Sequence, residues 1–150
     1  MAQSEHYTAA GFPQTTGRSL QQTAAHYAPH VLSILRIMVA LLFLEHGTSR
    51  LFGFPSPMAT PALFSMYWFA GAIEFGGGAL LALGLFTRPV ALIMSGEMAF
   101  AYFISHAPHG FFPIINRGDG AILYCFVFLY IAFAGAGPWS LDWLMRKKLA

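Results

Sequence analysis

The sequence predicts an all-α fold, an integral membrane bundle of four helices with both termini cytoplasmic, and three observations lead there. Hydrophobic residues make up 57% of the chain and charged residues 9%, against roughly 25% charged in an average soluble domain. The mean hydropathy is +0.58, and a chain of 150 residues cannot hide that much apolar surface in one aqueous core, because small domains leave much of their surface exposed. Past Pro29, apolar stretches near the roughly 17–25 residues needed to cross a bilayer alternate with breaks rich in proline and glycine.

Residues 1–28 are polar and rich in Ala, Thr and Gln, with no continuous apolar run. They are expected to form a flexible tail and not a cleavable signal peptide, with an amphipathic stretch from Leu20 to Tyr27 as the alternative. The membrane domain is expected over 29–145, followed by a basic tail at 146–150. Its first helix runs from about Val31 to Leu51. Pro55, Pro57 and Pro61 cannot continue it and mark a loop. The second helix runs from about Ala62 to Phe86, and Thr87-Arg88-Pro89 makes a tight break. The third runs from about Val90 to His106, followed by the turn-rich loop APHGFFPIINRGDG. The fourth, Ala121 to Ala136, is short and is expected to begin nearer Gly118; it ends at Gly137-Pro138.

Lys and Arg concentrate in cytoplasmic segments of membrane proteins. Arg146-Lys147-Lys148 therefore belongs inside, and an even number of crossings brings Arg18 and Arg88 inside with it, leaving Arg50 and Arg117 outside. Trp68, Trp139 and Trp143 suit interfacial belts. The positive charge is too scattered for a nucleic-acid face. The single cysteine, Cys125, excludes a disulfide framework or a cysteine zinc site within one chain, and with them a Cys-x-x-Cys relay.

Polar residues inside apolar segments carry whatever chemistry the chain has. Charges at a helix centre are costly and usually face the bundle and pair. Glu74 shares a helical face with Gly71, Gly77 and Gly78, and glycines let a neighbouring helix approach closely. Arg36 shares its face with Ala40, Phe43 and Gly47. Arg36 is therefore expected to pair with Glu97 or Glu74, either locking helices together or serving a proton relay or ligand site. Glu45, His46 and Arg50 form a second group near the outer surface. His106, His109, Asn116, Arg117 and Asp119 lie on or beside the other outer loop. The two groups together suit a polar mouth, where histidines could move protons or meet a quinone headgroup; a plain interfacial rim explains them as well.

Several cofactor readings find no support. His46 and His106 could sit at one depth, as a bis-histidine haem needs, but nothing else points to haem. A di-iron site wants Glu-x-x-His pairs, and neither Glu74 nor Glu97 has a histidine three residues on. Gly76-Gly77-Gly78 lies mid-helix without the Gly-Lys-Ser/Thr ending of a phosphate loop. No metal site and no cofactor bound covalently or by motif is expected.

The strings LLFLEHGTSRLFGF (Leu41 to Phe54), GAIEFGGGALLALGLFTRPVAL (Gly71 to Leu92), NRGDGAILY (Asn116 to Tyr124) and GAGPWSLD (Gly135 to Asp142) occur in order over four helices. With Arg36 before them, they resemble the DoxX family of small bacterial inner-membrane proteins. Arg50 stands where the family pattern usually has Lys, and Asp119 where it often has Glu; both keep the charge, though Arg changes the hydrogen-bonding geometry. The resemblance implies a four-helix inner-membrane protein without a cofactor of its own. It also implies an association with quinone-linked oxidoreductases or oxidative stress. Fold transfers from such a likeness, whereas function must be argued from the site.

Three functions follow as expectations. The first is a redox-linked subunit, a membrane oxidoreductase component holding quinone or quinol near Glu74, Glu97 and His46, with Arg36, Glu45, Arg50, Asn116 and Asp119 as ligand-binding or ion-pairing residues. The second is a non-enzymatic scaffold or assembly subunit. The third is a small-molecule permease, which four short helices without a repeat would support only as a dimer. Expected partners are the lipid bilayer, oxidoreductase subunits and other copies of the chain.

Overall fold

The computed structural model describes residues 20–56 and 61–149. Among them there is no strand, and six α-helices follow in order: α1 Leu20–Phe52, α2 Met66–Leu83, α3 Thr87–Ala101, α4 Pro113–Asn116, α5 Asp119–Ala134 and α6 Leu141–Leu149. Helices α1, α2 and α3 with its continuation to His109 are long and apolar enough to cross a membrane, and α5 is a shorter apolar helix of 16 residues. Most of the expected flexible tail, residues 1–19, lies outside the described residues. From Leu20 onward the chain is helical and continuous through Pro29 into the first membrane segment. At about 1.5 Å per residue, a helix of 33 residues exceeds the ~30 Å hydrocarbon layer, so its polar first turns project beyond it.

Two antiparallel hairpins build the bundle. Helix α1 packs along α2 and α3 along α5, while α2–α3 and α1–α5 meet over much shorter stretches. Phe43, Leu81, Met94, Phe128 and Ile131 are buried between them, and the Phe43 and Phe128 rings meet edge to face at 4.9 Å. Leu92, Ile93, Leu123, Phe126 and Phe133 are each more than half exposed. Such a surface is stable only where lipid replaces water.

Glycines set the α1–α2 distance. A Cβ on Gly78 would lie 2.9 Å from the Leu44 nitrogen and 3.0 Å from the Ala40 oxygen, both backbone atoms that cannot step aside. Gly47 abuts the Glu74–Phe75 backbone in the same way. Gly76, two residues before Gly78 and so on roughly the opposite side of the helix, has open space where its Cβ would be. Gly78→Ala is therefore expected to force the helices apart and cost about 1–3 kcal/mol. Gly76→Ala should be neutral or stabilising by up to ~1 kcal/mol through helix propensity. Unfolding of both variants in detergent checks this; equal effects would show that the glycines are not set by packing.

Helix boundaries differ from expectation at the α2–α3 corner. Gly84, in the left-handed conformation at φ 66°, ends α2 early. Helix α3 begins at Thr87, before the proline read as a break. Pro89 is accommodated because the first turn of a helix has no use for its missing N–H. Asp142, at the start of α6, caps α3 by accepting from the Phe86 and Thr87 amides, each at 2.9 Å. The basic residues expected as a tail from 146 form the last turn of α6, where their charge complements the helix dipole. Between α5 and α6 the chain turns at Gly135 and Gly137, and the Trp139 amide donates to Ser33 Oγ at 3.3 Å. The exit of α5 thus lies at the same end of the bundle as the entry of α1.

Candidate functional site, a cavity between the hairpins

The short contact between the two hairpins leaves a cavity of about 950 Å³ at the end where α1 finishes and α5 begins. Phe43, Phe69, Ile73, Met98, Phe100, Ile104 and other apolar residues form most of its wall. The polar groups reaching it are His46, Arg50, Tyr67, Glu74, Glu97, Ser105, His106, Arg117 and Tyr124. This is the usual composition of a small-molecule site, apolar with a few convergent polar groups.

Arg50 and Glu74 form a two-pronged ion pair, Nε to Oε2 at 3.0 Å and Nη2 to Oε1 at 3.1 Å. Gly71 makes the approach possible: a Cβ there would lie 3.1 Å from Arg50 Cδ, so its absence lets the arginine stem run along α2 to Glu74 one turn away. Tyr67 stands near the guanidinium, 6.0 Å from ring centre to Cζ. Among the described residues this is the one ion pair. Glu97 projects from α3 into the same cavity and feels the charges of Glu74 and Arg50. Its Oε2 is buried without a hydrogen-bond partner among the described residues. Buried polar atoms are nearly always satisfied, so an orphan facing a cavity points to a group that the cavity receives.

The two cavity histidines are held alike. His46 Nδ1 lies 2.9 Å from the Leu42 carbonyl and His106 Nδ1 3.0 Å from the Asn116 carbonyl. A carbonyl only accepts, so Nδ1 carries the proton in each ring and Nε2 remains for another partner. A π-helical turn, Tyr102–His106, continues α3 near the end of the third membrane segment and presents His106; such turns recur at functional sites. The His46 ring sits edge-on to Tyr124 at 6.4 Å.

The remaining expected site residues lie elsewhere. Arg36 pairs with no carboxylate, contrary to expectation. It is fully buried at the opposite end of the bundle, where its guanidinium donates to the carbonyls of Leu81, Ala82, Ala136 and Trp139. The helix register explains the error. Gly47 of α1 is level with Glu74, so Arg36, eleven positions earlier, is about 16 Å too far along the axis. Two carbonyls at the end of α2 and two in the segment after α5 supply the negative field that a glutamate was expected to give. Glu45 is exposed and does not line the cavity, since neighbours on a helix point about 100° apart. Asn116 is buried and structural, donating to the Gly110 carbonyl at 2.7 Å and accepting from the Gly118 amide at 2.8 Å. Asp119 is exposed in the first turn of α5 and does not line the cavity. Tyr124 is a cavity residue that the sequence does not single out, because α5 carries two phenols, Tyr124 and Tyr130, and only the structure shows that Tyr124 faces the cavity.

The DoxX family model matches residues 31–107. An uncharacterized protein of Haemophilus influenzae is 48% identical over 128 residues, covering 81% of this chain and 96% of that protein. The inner membrane protein YqjF of Escherichia coli is 27% identical over 129 residues, 77% of this chain and 92% of that one. The membrane protein Rv3486 of Mycobacterium tuberculosis is 29% identical over 140 residues, 80% and 83% of the two chains. No solved structure matches the chain.

Proposed function

The chain belongs to the DoxX family and is a multi-pass membrane protein, and on that premise we propose that it is a redox-linked membrane subunit holding a quinone or quinol in the cavity between its hairpins. The observation that carries this reading is the unpartnered Glu97 oxygen in an apolar cavity shared with two histidines whose Nε2 atoms are free to bind. A quinol brings two hydroxyls and a quinone two carbonyls, on a ring with an apolar tail. Glu97 accepts from a hydroxyl, His46 or His106 meets the oxygen across the ring, and the apolar wall takes ring and tail. The chain binds and orients the ring and exchanges its protons with nearby carboxylate and imidazole groups; electrons pass to a partner oxidoreductase subunit. In this reading the end with Arg88 and Arg146 to Lys148 faces the cytoplasm, and the cavity lies toward the opposite face.

Mild-detergent purification followed by mass spectrometry of the lipid extract should recover a quinone at near the protein's own amount. Glu97→Leu should weaken binding of a short-chain quinol analogue by about tenfold or more, the worth of one charge-assisted hydrogen bond. Wild-type protein that neither retains nor binds a quinone would end the proposal, as would a Glu97→Leu variant that binds the analogue normally. The scaffold reading draws on the Arg50–Glu74 pair, which ties α1 to α2; it expects co-purification with a larger partner and no quinone.

A further inference from the structure

A second cavity, of about 270 Å³, opens at the other end of the bundle, where α5 leaves and α6 begins. Its wall is the turning segment Gly135–Pro138, with Arg88, Asp142, Trp143 and Arg146 around it. Gly135 has φ +93°, and a Cβ on it would lie 3.5 Å from Arg88 Nη2. The guanidinium therefore rests against bare backbone. Arg88 donates once, from Nη1 to the Ala132 carbonyl at 3.4 Å, which leaves most of its five donors uncommitted.

The charge here is unbalanced. Asp142 is the carboxylate in this cavity, and both its oxygens are taken by the Phe86 and Thr87 amides. Among the described residues neither Arg88, Arg146, Lys147 nor Lys148 makes an ion pair. Helix α6 exposes Trp143, Leu144 and Met145 beside these cations, and Lys147 Nζ lies 5.3 Å from the Trp143 ring centre. A short helix with exposed apolar residues, a tryptophan and a basic last turn fits the plane of a membrane interface.

We propose that this cavity is a binding site for a phosphate group carried on an anionic phospholipid, with Arg88 and Arg146 as its two forks and α6 as the element that sets its depth. Planar guanidinium forks match phosphate oxygens in pairs. Trp143, Leu144 and Met145 lie against the lipid's glycerol and upper chains. The site is independent of the quinone cavity at the opposite end.

The test places the whole protein in nanodiscs of phosphatidylcholine with a minor share of phosphatidylglycerol and counts retained lipids by native mass spectrometry. Wild type should retain phosphatidylglycerol in preference to phosphatidylcholine. Arg88→Gln or Arg146→Gln should each reduce that preference about fivefold, whereas Lys148→Gln should change it by less than about twofold. Arg146 lies on an exposed helix, so its variant tests the site even if Arg88→Gln folds poorly. Inorganic phosphate at millimolar concentration separates the sources: retention that survives it assigns the site to the lipid, and displacement by it overturns the lipid assignment. Equal losses from Lys148→Gln and Arg88→Gln would also overturn the proposal, by showing a diffuse basic surface without a built site.

Discussion

Arg36→Met is expected to remove most of the folded protein from the membrane. The two side chains are similar in volume, though methionine is the shorter, so the change tests charge and hydrogen bonding more than packing. Arg36 is fully buried and donates to four carbonyls drawn from the end of α2 and the segment after α5. The Ala82 carbonyl has lost its next helical donor, because the Phe86 amide is committed to Asp142. Methionine would leave several of these carbonyls without a donor in a dry site. Each buried polar group left unsatisfied costs about 1–3 kcal/mol, so stranding several carbonyls at once is expected to cost about 3–5 kcal/mol, a large part of a marginal stability of roughly 5–15 kcal/mol. Reversible unfolding in detergent and the level of inserted protein both report it. Arg36→Lys should fall between, since an ammonium keeps the charge but cannot spread its donors over four carbonyls. Unfolding of the methionine variant within about 1 kcal/mol of wild type would show that the carbonyls find other donors.

The inward orientation of Arg36 was legible from its face with Ala40, Phe43 and Gly47, all buried, and that of Glu74 from Gly71 and Gly78, buried with it. Helical periodicity reports direction around an axis and nothing about relative height. Height depends on where each helix starts, and α3 starts three residues before the position its proline suggests. Beginning α3 at Thr87, three residues early, moves Glu97 by about 4.5 Å toward the end where Arg50 lies. The capping residue responsible, Asp142, is 55 residues away in sequence. The sequence groups Arg50 with the outer mouth and offers Glu74 to Arg36, because the meeting of Arg50 and Glu74 depends on how α1 registers against α2. That register is fixed by close backbone contact at Gly47 and Gly78, which sequence shows only as the presence of glycines.

The architecture accounts for where the cavity forms. At the Arg36 end, one guanidinium draws together the end of α2 and the segment after α5, tying the two hairpins to each other. At the other end, Arg50 and Glu74 lie within the first hairpin and Ser95 reaches the Cys125 carbonyl at 2.9 Å within the second. Each hairpin is closed there, but no comparable tie joins the pair among the described residues. The hairpins diverge, and Glu97 on α3 faces the gap without a partner.

Breaking the Arg50–Glu74 pair one residue at a time and then together separates its structural role from its part in the cavity. Glu74 is 3% exposed and Arg50 22%, and Arg50 lies in the last turn of α1, where a long side chain can snorkel toward the interface. Arg50→Gln should therefore be the more damaging single change, at about 3–5 kcal/mol, because it leaves a carboxylate among apolar groups. Glu74→Gln should cost less, since the freed guanidinium can still reach water. The double variant should recover at least half of the larger loss, because two facing amides hydrogen-bond to one another and neither strands a charge. Unfolding of the four proteins in one detergent gives the coupling energy. Losses that simply add would show that the two side chains act separately, against the two-pronged geometry. Quinol-analogue binding by the double variant then decides the pair's second role. Near-native binding would make it only a lock between α1 and α2, while binding lost in a protein of recovered stability would place the pair among the groups that hold the ligand.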